Sequence, residues 1–500
     1  MLLFDTALPR PALRAAGAAL VRLSLIFPLA LPAAGSAQIP RHEYVARRDS
    51  LAAQIGDGLV IAFGGAAPVT DFGPFYQLPA FRYLTGYLHA DAALVMVVSG
   101  GRAASTLFAP QIPTRVSLYY GAAPDSAAVA RDLGLASRAS GELVAYVDSV
   151  VRAKAPGLPL FDLRDFAAAD FAARDSLTRG GQVVKALASR HRGLEIRDAH
   201  QIVDRLRARK SETELALIRR AAEISAEGHT ELMRRIETGM HEYDLQAIIE
   251  HSFRRGGAER PAYGSIVGSG PNALELHYMK DRRLMEPGEL VVIDAGAEYR
   301  GYAADVTRTL PTSGTYTPEQ RAVYQIVRDA QAAAERNSKA GLTIRAALDS
   351  AVAVRARGLA ALGLIESAEA MLDPAWPVDC GRTPAACSQA ALFMIHGITH
   401  GLGLEVHDPV QAYYGTFEVG DAFVIEPGLY ISTRLLDMLP DTPRNRAFIA
   451  RVRATVAKYE NTGVRIEDSY VITARGLERI SLAPREIDEI EALTRRRPVP

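Results

Sequence analysis

Two aspartates in neighbouring predicted strands are the first candidates for chemistry in this sequence. Asp294 ends a short apolar run, and Asp305 lies in residues 302–310, which are predicted to form the antiparallel partner. If the turn centres on Tyr299 and Arg300, Asp294 pairs with Asp305, with Cβ atoms about 5 Å apart. Facing like charges are destabilising, so this pairing predicts a cation between them. An exposed hairpin with two solvated aspartates explains the pair equally well.

Four of the eleven histidines lie at or between the carboxylate-bearing segments, namely His277, His396, His400 and His407. The last three belong to a segment punctuated by glycines. A helical zinc motif requires a glutamate beside its first histidine, whereas a glycine follows His396, and three glycines disfavour a helix. A zinc-protease helix is therefore excluded. A lone histidine is more often structural than a ligand, so the prediction depends on the whole set.

Two glutamates, Glu426 and Glu467, stand in apolar, strand-like segments, where an acidic side chain is costly unless it is paired or bound to a metal. With Asp294, Asp305 and His400 they make a set of four carboxylates and one imidazole. This oxygen-rich set favours Mn²⁺ or another divalent first-row ion. Bridging carboxylates favour two ions roughly 3.5–4 Å apart, a geometry used for hydrolysis.

The composition is that of a soluble globular chain. Its 500 residues are 48% apolar and 23% charged, which predicts two or three domains. The chain has 57 basic residues (Lys and Arg) and 57 acidic residues (Asp and Glu), so its formal net charge is zero. It therefore lacks the excess positive charge that would attract a phosphate backbone, and we expect no nucleic-acid partner. Two cysteines exclude a disulfide scaffold and a four-thiolate zinc site.

The only long apolar stretch lies at the extreme N-terminus, so no membrane span is expected. Arginines lie before and within it, and the small residues Gly35, Ser36 and Ala37 follow it. This pattern predicts a signal peptide over residues 1–37 and a periplasmic or secreted protein. A disordered N-terminal extension is the alternative. Cys380 and Cys387 could form a local disulfide after export, although two unpaired loop cysteines fit almost as well.

The pattern along the chain predicts two domains after the leader. Residues 41–204 alternate short apolar runs with helical stretches, which indicates an α/β domain. Ser211 and Glu214 form a capping box before a long amphipathic helix that is predicted to end at Gly239. A second helix is expected over residues 243–255. We place the domain boundary near residue 205 and the second domain over residues 205–490.

These residues in their local contexts resemble a known family. The segments IDAG, DVTRT, HGITHGLGLEVHD, IEPGLY and VRIED, which contain the five ligand candidates in order, resemble the pita-bread metallopeptidase family, and within it the aminopeptidase P group. Residues 83–86, YLTG, resemble the N-terminal domain of that group. The resemblance covers residues 41–490. It implies an α/β (α+β) fold, in which a creatinase/aminopeptidase P-like domain precedes a pita-bread catalytic domain.

The resemblance also implies an activity and a metal centre. The activity is removal of the N-terminal residue from peptides with proline in the second position, by attack of a metal-bridging hydroxide on the scissile carbonyl. Asp294 would hold one divalent ion, Asp305 and Glu467 would bridge two, and His400 with Glu426 would complete the second, with Mn²⁺ as the expected metal. Homodimers or tetramers are common in the family, so a homo-oligomer is expected.

The remaining site residues are assigned by the same resemblance. Glu426 matches a proton shuttle, His277 a histidine near the substrate, and His407 a residue that stabilises the tetrahedral intermediate. The positions that match substrate-facing residues are His396, Arg465 and Tyr430.

Alternatives remain at this point. An Xaa-Pro dipeptidase shares the fold, metals and histidines. A non-catalytic pita-bread binding module and a structural calcium site are more remote, because all five ligand candidates are present together with histidines at the substrate positions. Residues 371–392 and 432–461 are longer than the usual connections and are predicted to reshape the substrate mouth.

Overall fold

The computed structural model describes residues 39–68, 73–153, 157–163 and 178–495. The predicted signal peptide, residues 1–37, lies outside this part of the chain. Among the described helices, none combines the length and the apolar character that crossing a membrane requires.

A mixed sheet organises the first part of the described chain. Its strands are β1 (Gly58–Phe63), β2 (Ala93–Ser99), β3 (Arg102–Ala109), β4 (Ala136–Ala139), β5 (Leu160–Leu163) and β6 (Ile196–Asp198). The spatial order is β4-β3-β2-β1-β5-β6, with β2 antiparallel to both neighbours and the other pairs parallel. Every residue of β1 is buried, as its uninterrupted apolar sequence predicts.

Helices cover this sheet and complete the predicted α/β architecture. They are α1 (Arg41–Ile55), α2 (Pro79–Thr85), α3 (Thr114–Tyr120), α4 (Ser126–Leu133), α5 (Leu143–Ala153), α6 (Arg179–Arg190) and α7 (His200–Ala208). Leu143 and Val147 of α5 and Leu187 of α6 pack against Ile61 and Phe63 of β1 in one apolar core. The predicted boundary at residue 205 lies within α7, and the division into domains there stays a prediction.

The first two helices of the second part begin within one residue of the predicted positions. The helices of this part are α8 (Glu212–Arg235), α9 (Glu242–Arg255), α10 (Pro318–Asn337), α11 (Ile344–Ala361), α12 (Thr433–Asp437), α13 (Pro443–Lys458) and α14 (Ile487–Thr494). The capping box of α8 is present, since the Ser211 hydroxyl accepts from the backbone of Glu214 and the Glu214 carboxylate from that of Ser211. The helix ends at Arg235 rather than at Gly239, which lies in the following turn.

Antiparallel strands form the centre of the second part. They are β7 (Arg260–Pro261), β8 (Ile266–Ser269), β9 (Leu290–Asp294), β10 (Ala297–Tyr299), β11 (Tyr302–Ala303), β12 (Thr307–Pro311), β13 (Ala422–Ile425), β14 (Gly428–Ile431), β15 (Thr462–Arg465), β16 (Asp468–Thr473) and β17 (Gly476–Arg479). The sheets have the orders β11-β10-β7, β12-β9-β8, β13-β16-β17 and β14-β15. The apolar residues of β8, β9, β12, β14 and β15 share one large core with α8, α9, α10 and α13, whereas those of β13 and β16 pack in a second core with α10 and α11.

The hairpin that carries the two aspartates has a different register from the predicted one. Asp294 pairs with Thr307, so the predicted direct pairing with Asp305 is wrong. The turn lies on Arg300 and Gly301, whose φ values are 50° and 78°. Because glycine tolerates positive φ, the turn forms one residue later than predicted. Asp305 lies in the break between β11 and β12.

Candidate active site

His400 faces three carboxylates in the second part of the chain. Its Nε2 atom lies 3.5 Å from Asp305 Oδ2, 3.6 Å from Glu426 Oε1 and 3.9 Å from Glu467 Oε1. Potential ligand atoms of Asp305, His400 and Glu467 lie within 4.8 Å of one another. Ligands that bind a common cation at roughly 2.0–2.2 Å must converge in this way. The group is therefore a candidate metal centre.

Asp294 joins this cluster through two hydrogen-bond donors. Arg465 donates from Nη2 to Asp294 Oδ2 at 2.7 Å, and the Tyr263 hydroxyl lies 2.6 Å from Asp294 Oδ1. The same hydroxyl also hydrogen-bonds Oδ1 of Asp305. Tyr263 therefore links the two aspartates, although they are not paired in the strand ladder.

The carboxylates of the cluster repel one another and are poorly solvated. Burial raises the pKa of Asp305, Glu426 and Glu467 well above the ordinary range, and neighbouring carboxylates raise it further. Burial also opposes ionisation of Asp294, but the charge of Arg465 and the hydrogen bonds from Tyr263 and Arg465 together outweigh it and lower that pKa. Oε1 of Glu467 is buried and has no hydrogen-bond partner among the residues that the structure describes. A crowded acidic cluster with an unsatisfied oxygen fits the divalent cation that the sequence predicts.

Breaks between strands position the acidic residues. Asp294 ends β9, Glu426 lies between β13 and β14, and Glu467 lies between β15 and β16. The sequence predicted that both glutamates lie within strands. In the structure they lie in the breaks beside strands. At such breaks a side chain can turn towards the site while the flanking strands remain in the apolar core.

Hydrogen bonds between neighbouring segments fix these breaks. The Ser469 hydroxyl donates to the carbonyl of Asp305 at 2.7 Å and accepts from its amide at 3.2 Å. The Thr307 hydroxyl donates to Glu467 Oε2 at 2.7 Å, and the Glu467 amide donates to the Thr307 carbonyl at 3.1 Å. At Gly296 a Cβ atom would lie 1.8 Å from the Ala304 carbonyl oxygen, so this close approach requires glycine.

The histidines near the cluster favour their neutral forms. Burial, followed by the neighbouring His407, lowers the pKa of His400 to about 4. The His400 and His407 rings have centroids 4.2 Å apart. Burial and the nearby His277 also lower the pKa of His407. A neutral imidazole can accept at one nitrogen and donate from the other, so these rings can bind a metal or donate to a substrate oxygen.

A hydrogen-bonded chain runs from His396 to the cluster. The Tyr430 hydroxyl lies 2.9 Å from His396 Nε2 and accepts from Arg465 Nη1 at 2.7 Å. Arg465 in turn reaches Asp294. Burial, then the charge of Arg465, lowers the pKa of His396 to about 3, so His396 is neutral at pH 7.

One cavity of about 430 Å³ gathers the predicted site residues. It is lined by His277, Asp294, Asp305, His396, His400, His407, Glu426, Arg465 and Glu467. Tyr430 does not line it and lies behind His396, with 1% of its surface exposed. The side chains of Leu276 and Met279 form an apolar part of the cavity wall.

Sequence reasoning missed Tyr263, which also lines this cavity. A tyrosine before a short strand is common, and nothing in its neighbourhood in the sequence signals a bridge between two aspartates. Tyr263 lies just before β8, and β8 pairs with β9, which ends at Asp294. This pairing is the one signal that could have suggested a contact between Tyr263 and Asp294.

The two long connections pack against each other. Asp373 accepts from the Thr442 hydroxyl at 2.5 Å and from Arg444 at 2.6 Å, and the Asn445 side chain donates to its carbonyl at 2.9 Å. Cys380 and Cys387 form a disulfide. The effect of these connections on the substrate mouth stays a prediction.

Family models match both parts of the chain. The model of metallopeptidase family M24 matches residues 216–474, which include every predicted site residue. The model of the aminopeptidase P N-terminal domain matches residues 44–155, which contain most of the six-stranded sheet.

Individual proteins match over different lengths. A Xaa-Pro aminopeptidase of Escherichia coli K12 is 33% identical over 91% of this chain and 98% of its own length. A human Xaa-Pro dipeptidase is 30% identical over 59% of this chain and 61% of its own length. Among solved structures, aminopeptidase P from E. coli with the inhibitor Pro-Leu has a TM-score of 0.74 at 31% identity, with 91% of this chain and 98% of that chain covered.

Proposed function

The chain belongs to metallopeptidase family M24, and we propose that it removes the N-terminal residue from peptides whose second residue is proline. The observation that supports this most strongly is the convergence of Asp305, His400 and Glu467 in a cavity that His277 and His407 also line. The E. coli aminopeptidase matches almost the whole chain, including the N-terminal part.

Xaa-Pro dipeptidase activity is the second candidate. The human dipeptidase matches the chain over a shorter region than the E. coli aminopeptidase does. The aminopeptidase P N-terminal domain model also matches here. Both observations favour the aminopeptidase.

We propose that two divalent ions, with Mn²⁺ as the physiological metal, are held by Asp294, Asp305, His400, Glu426 and Glu467. The crowded carboxylates and the unsatisfied Glu467 oxygen support this assignment. When bound, such ions activate water and polarise the scissile carbonyl. An oxygen-rich set with one imidazole suits Mn²⁺, although it does not exclude other first-row ions.

The chain's own residues are proposed to bind the peptide and move protons. Glu426 takes the proton from the attacking water at a carboxylate oxygen and returns it to the departing proline nitrogen. His407 donates from its neutral ring to the oxygen of the carbonyl under attack. His277 lies beside the substrate in the same cavity. His396 and Arg465 line the cavity and are proposed to face the substrate, whereas the buried Tyr430 joins them from behind by hydrogen bonds.

Export and assembly are further parts of the proposal. The N-terminal sequence pattern and the Cys380–Cys387 disulfide support a periplasmic or secreted protein, because disulfides persist in oxidising compartments. We also propose cleavage of the leader after residue 37, a domain division near residue 205, and a homodimer or homotetramer. N-terminal sequencing of the exported protein and its mass in solution test the cleavage and the assembly.

Cleavage of paired substrates tests the activity. The metal-depleted protein is restored with Mn²⁺ and given an Xaa-Pro-Xaa tripeptide or an Xaa-Pro dipeptide. We expect metal-dependent release of the first residue from the tripeptide. Cleavage of the dipeptide alone would instead identify a dipeptidase, and no cleavage of either would contradict both assignments.

A further inference from the structure

Glu242, the first residue of α9, is fully buried and uses both of its carboxylate oxygens. Oε1 accepts from the Ser269 amide at 2.7 Å, the Ser269 hydroxyl at 2.8 Å and the Asn272 side chain at 2.9 Å. Oε2 accepts from the Tyr278 hydroxyl at 2.9 Å and the Arg283 amide at 2.8 Å. All five donors belong to one segment, residues 269–283.

This segment carries His277 into the active-site cavity. Tyr278, which follows His277, points its hydroxyl to Glu242, whereas His277 and Leu276 line the cavity. His277 lies in a turn that the Tyr278 amide closes by donating to the Glu275 carbonyl at 3.2 Å. The bond from the Tyr278 hydroxyl to Glu242 therefore anchors the turn that presents His277 to the cavity.

A second set of contacts joins the two ends of residues 269–283. Arg283 donates to the Ser269 hydroxyl at 3.0 Å and to the Glu289 carboxylate at 2.5 and 2.7 Å. Gly270 has a φ of 52°, and a Cβ atom there would lie 2.3 Å from a Glu289 oxygen. Both ends of the loop thus meet beside Glu242.

The chemistry of Glu242 suits the role of an anchor. In the described chain it forms no ion pair, and hydrogen-bond donors alone satisfy it. A buried carboxylate is costly without such donors, and its hydrogen bonds to them are strong because it is charged. A glutamine could accept at one end only, because its amide nitrogen cannot accept a hydrogen bond.

We propose that Glu242 is a positioning residue, which holds residues 269–283 so that His277 faces the metal cluster and the bound peptide. This inference rests on the proposed function for the role of His277. Glu242 itself lines no part of the cavity and acts only through the segment it anchors.

A double-mutant cycle tests the coupling of the two residues. Glu242→Gln should lower kcat on an Xaa-Pro-Xaa tripeptide by about tenfold or more, with metal content unchanged, because small misplacements of a substrate-facing group are costly. In a His277→Ala background the same substitution should lower kcat by less than about twofold. Asp244→Asn is the matched control. Asp244 lies on the same helix, and among the described residues its carboxylate hydrogen-bonds and pairs with His241 alone, so its substitution should leave kcat unchanged.

Hydrogen exchange of the intact protein gives a readout that does not depend on activity. In Glu242→Gln, amides in residues 269–283 should exchange at least about tenfold faster than in the wild type, while β9 keeps its protection. The Asp244→Asn control should match the wild type in this segment.

The outcomes separate this inference from the proposed function. If the wild type cleaves neither peptide, the proposed function fails, and hydrogen exchange still decides whether Glu242 holds the segment. If the wild type is active but the two substitutions are additive, Glu242 does not act through His277 and the inference is wrong. Unchanged exchange in residues 269–283 would overturn it in either case.

Discussion

The guanidinium of Arg207 donates to Oδ1 of Asp408 at 2.5 Å, directly beside His407, which lines the candidate site. Lys210 lies 3.0 Å from the other Asp408 oxygen, and Arg207 also reaches Glu405 at 2.6 Å. Asp408 and Lys210 are almost fully buried. Arg207 of α7 and Lys210, which lies between α7 and α8, therefore hold the loop that carries His407.

Asp408→Asn should strongly destabilise the protein, because it removes the buried carboxylate that both Arg207 and Lys210 contact. We expect a loss of about 3–5 kcal/mol in the free energy of unfolding at pH 7, the usual cost of breaking a buried ion pair. Chemical denaturation of wild type and variant measures it. A loss below about 1 kcal/mol would contradict the role of this ion cluster.

The pH dependence of this difference follows from the pKa of Asp408. Burial opposes ionisation, but Arg207 and Lys210 outweigh it and lower the pKa below its ordinary value. A lowered pKa stabilises the fold above the unfolded pKa of about 3.9, and that stability is lost as pH falls through the folded value. The difference in the free energy of unfolding between wild type and Asp408→Asn should be constant from about pH 5 to 8 and should shrink below about pH 4. A difference that grows in acid would contradict this assignment.

Asp305→Asn should abolish peptide cleavage and weaken metal binding by more than about 100-fold, since loss of a ligand should exceed the loss of a ligand's supporting partner. Calorimetric metal titration and tripeptide kinetics measure the two effects. Asp349→Asn, which changes an exposed carboxylate on α11, is the control. Full activity of Asp305→Asn would contradict the shared metal site.

Without metal, the stability of Asp305→Asn should fall less than that of the wild type when the pH rises. Burial and Asp294 raise the pKa of Asp305. A raised carboxyl pKa means that stability is lost as pH rises through the folded value, whereas an asparagine does not titrate. Thermal unfolding of the metal-free proteins at pH 5 and pH 8 compares them. An equal change in melting temperature would show that Asp305 is not electrostatically strained.

His407→Ala should lower kcat by about 10²–10³-fold, the usual effect of removing one donor to a developing oxyanion, with both metals retained. The His407 ring lies near the His400 ring, with their planes inclined at 58°, but His407 is not among the proposed ligands. Metal analysis of the kinetic samples checks this. If metal is lost together with activity, His407 has a different role.

Tyr263→Phe should lower metal affinity by about 10–100-fold, because its hydroxyl orients both aspartates. Metal titration measures the change. Tyr243→Phe, on an exposed position of α9, is the control. An unchanged affinity would mean that Arg465 alone orients Asp294.

The ligand candidates could be found from the sequence because buried carboxylates in apolar segments are rare without a partner. The pairing register of Asp294 and Asp305 could not be found, since it depended on whether the two-residue turn centred on Tyr299 and Arg300 or on Arg300 and Gly301. A shift of two pairing positions keeps a residue on the same face of a strand, which is why the aspartates still approach each other.

The supporting residues were beyond the reach of sequence patterns. Glu242 begins an amphipathic helix, where an acidic residue is expected for the helix dipole alone. Arg207 and Lys210 stand in a charged stretch that is typical of a solvated linker. Their partners lie far along the chain, so only the tertiary fold brings them to the His277 and His407 segments.

Titration of the metal-free protein with Mn²⁺, with bound metal and tripeptide cleavage followed in the same samples, tests the metal centre most directly. We predict that release of the N-terminal residue is absent without metal and reaches its plateau at two bound ions per chain. Full cleavage by the metal-free protein, or bound metal without any cleavage, would contradict a catalytic dinuclear centre at Asp305, His400 and Glu467.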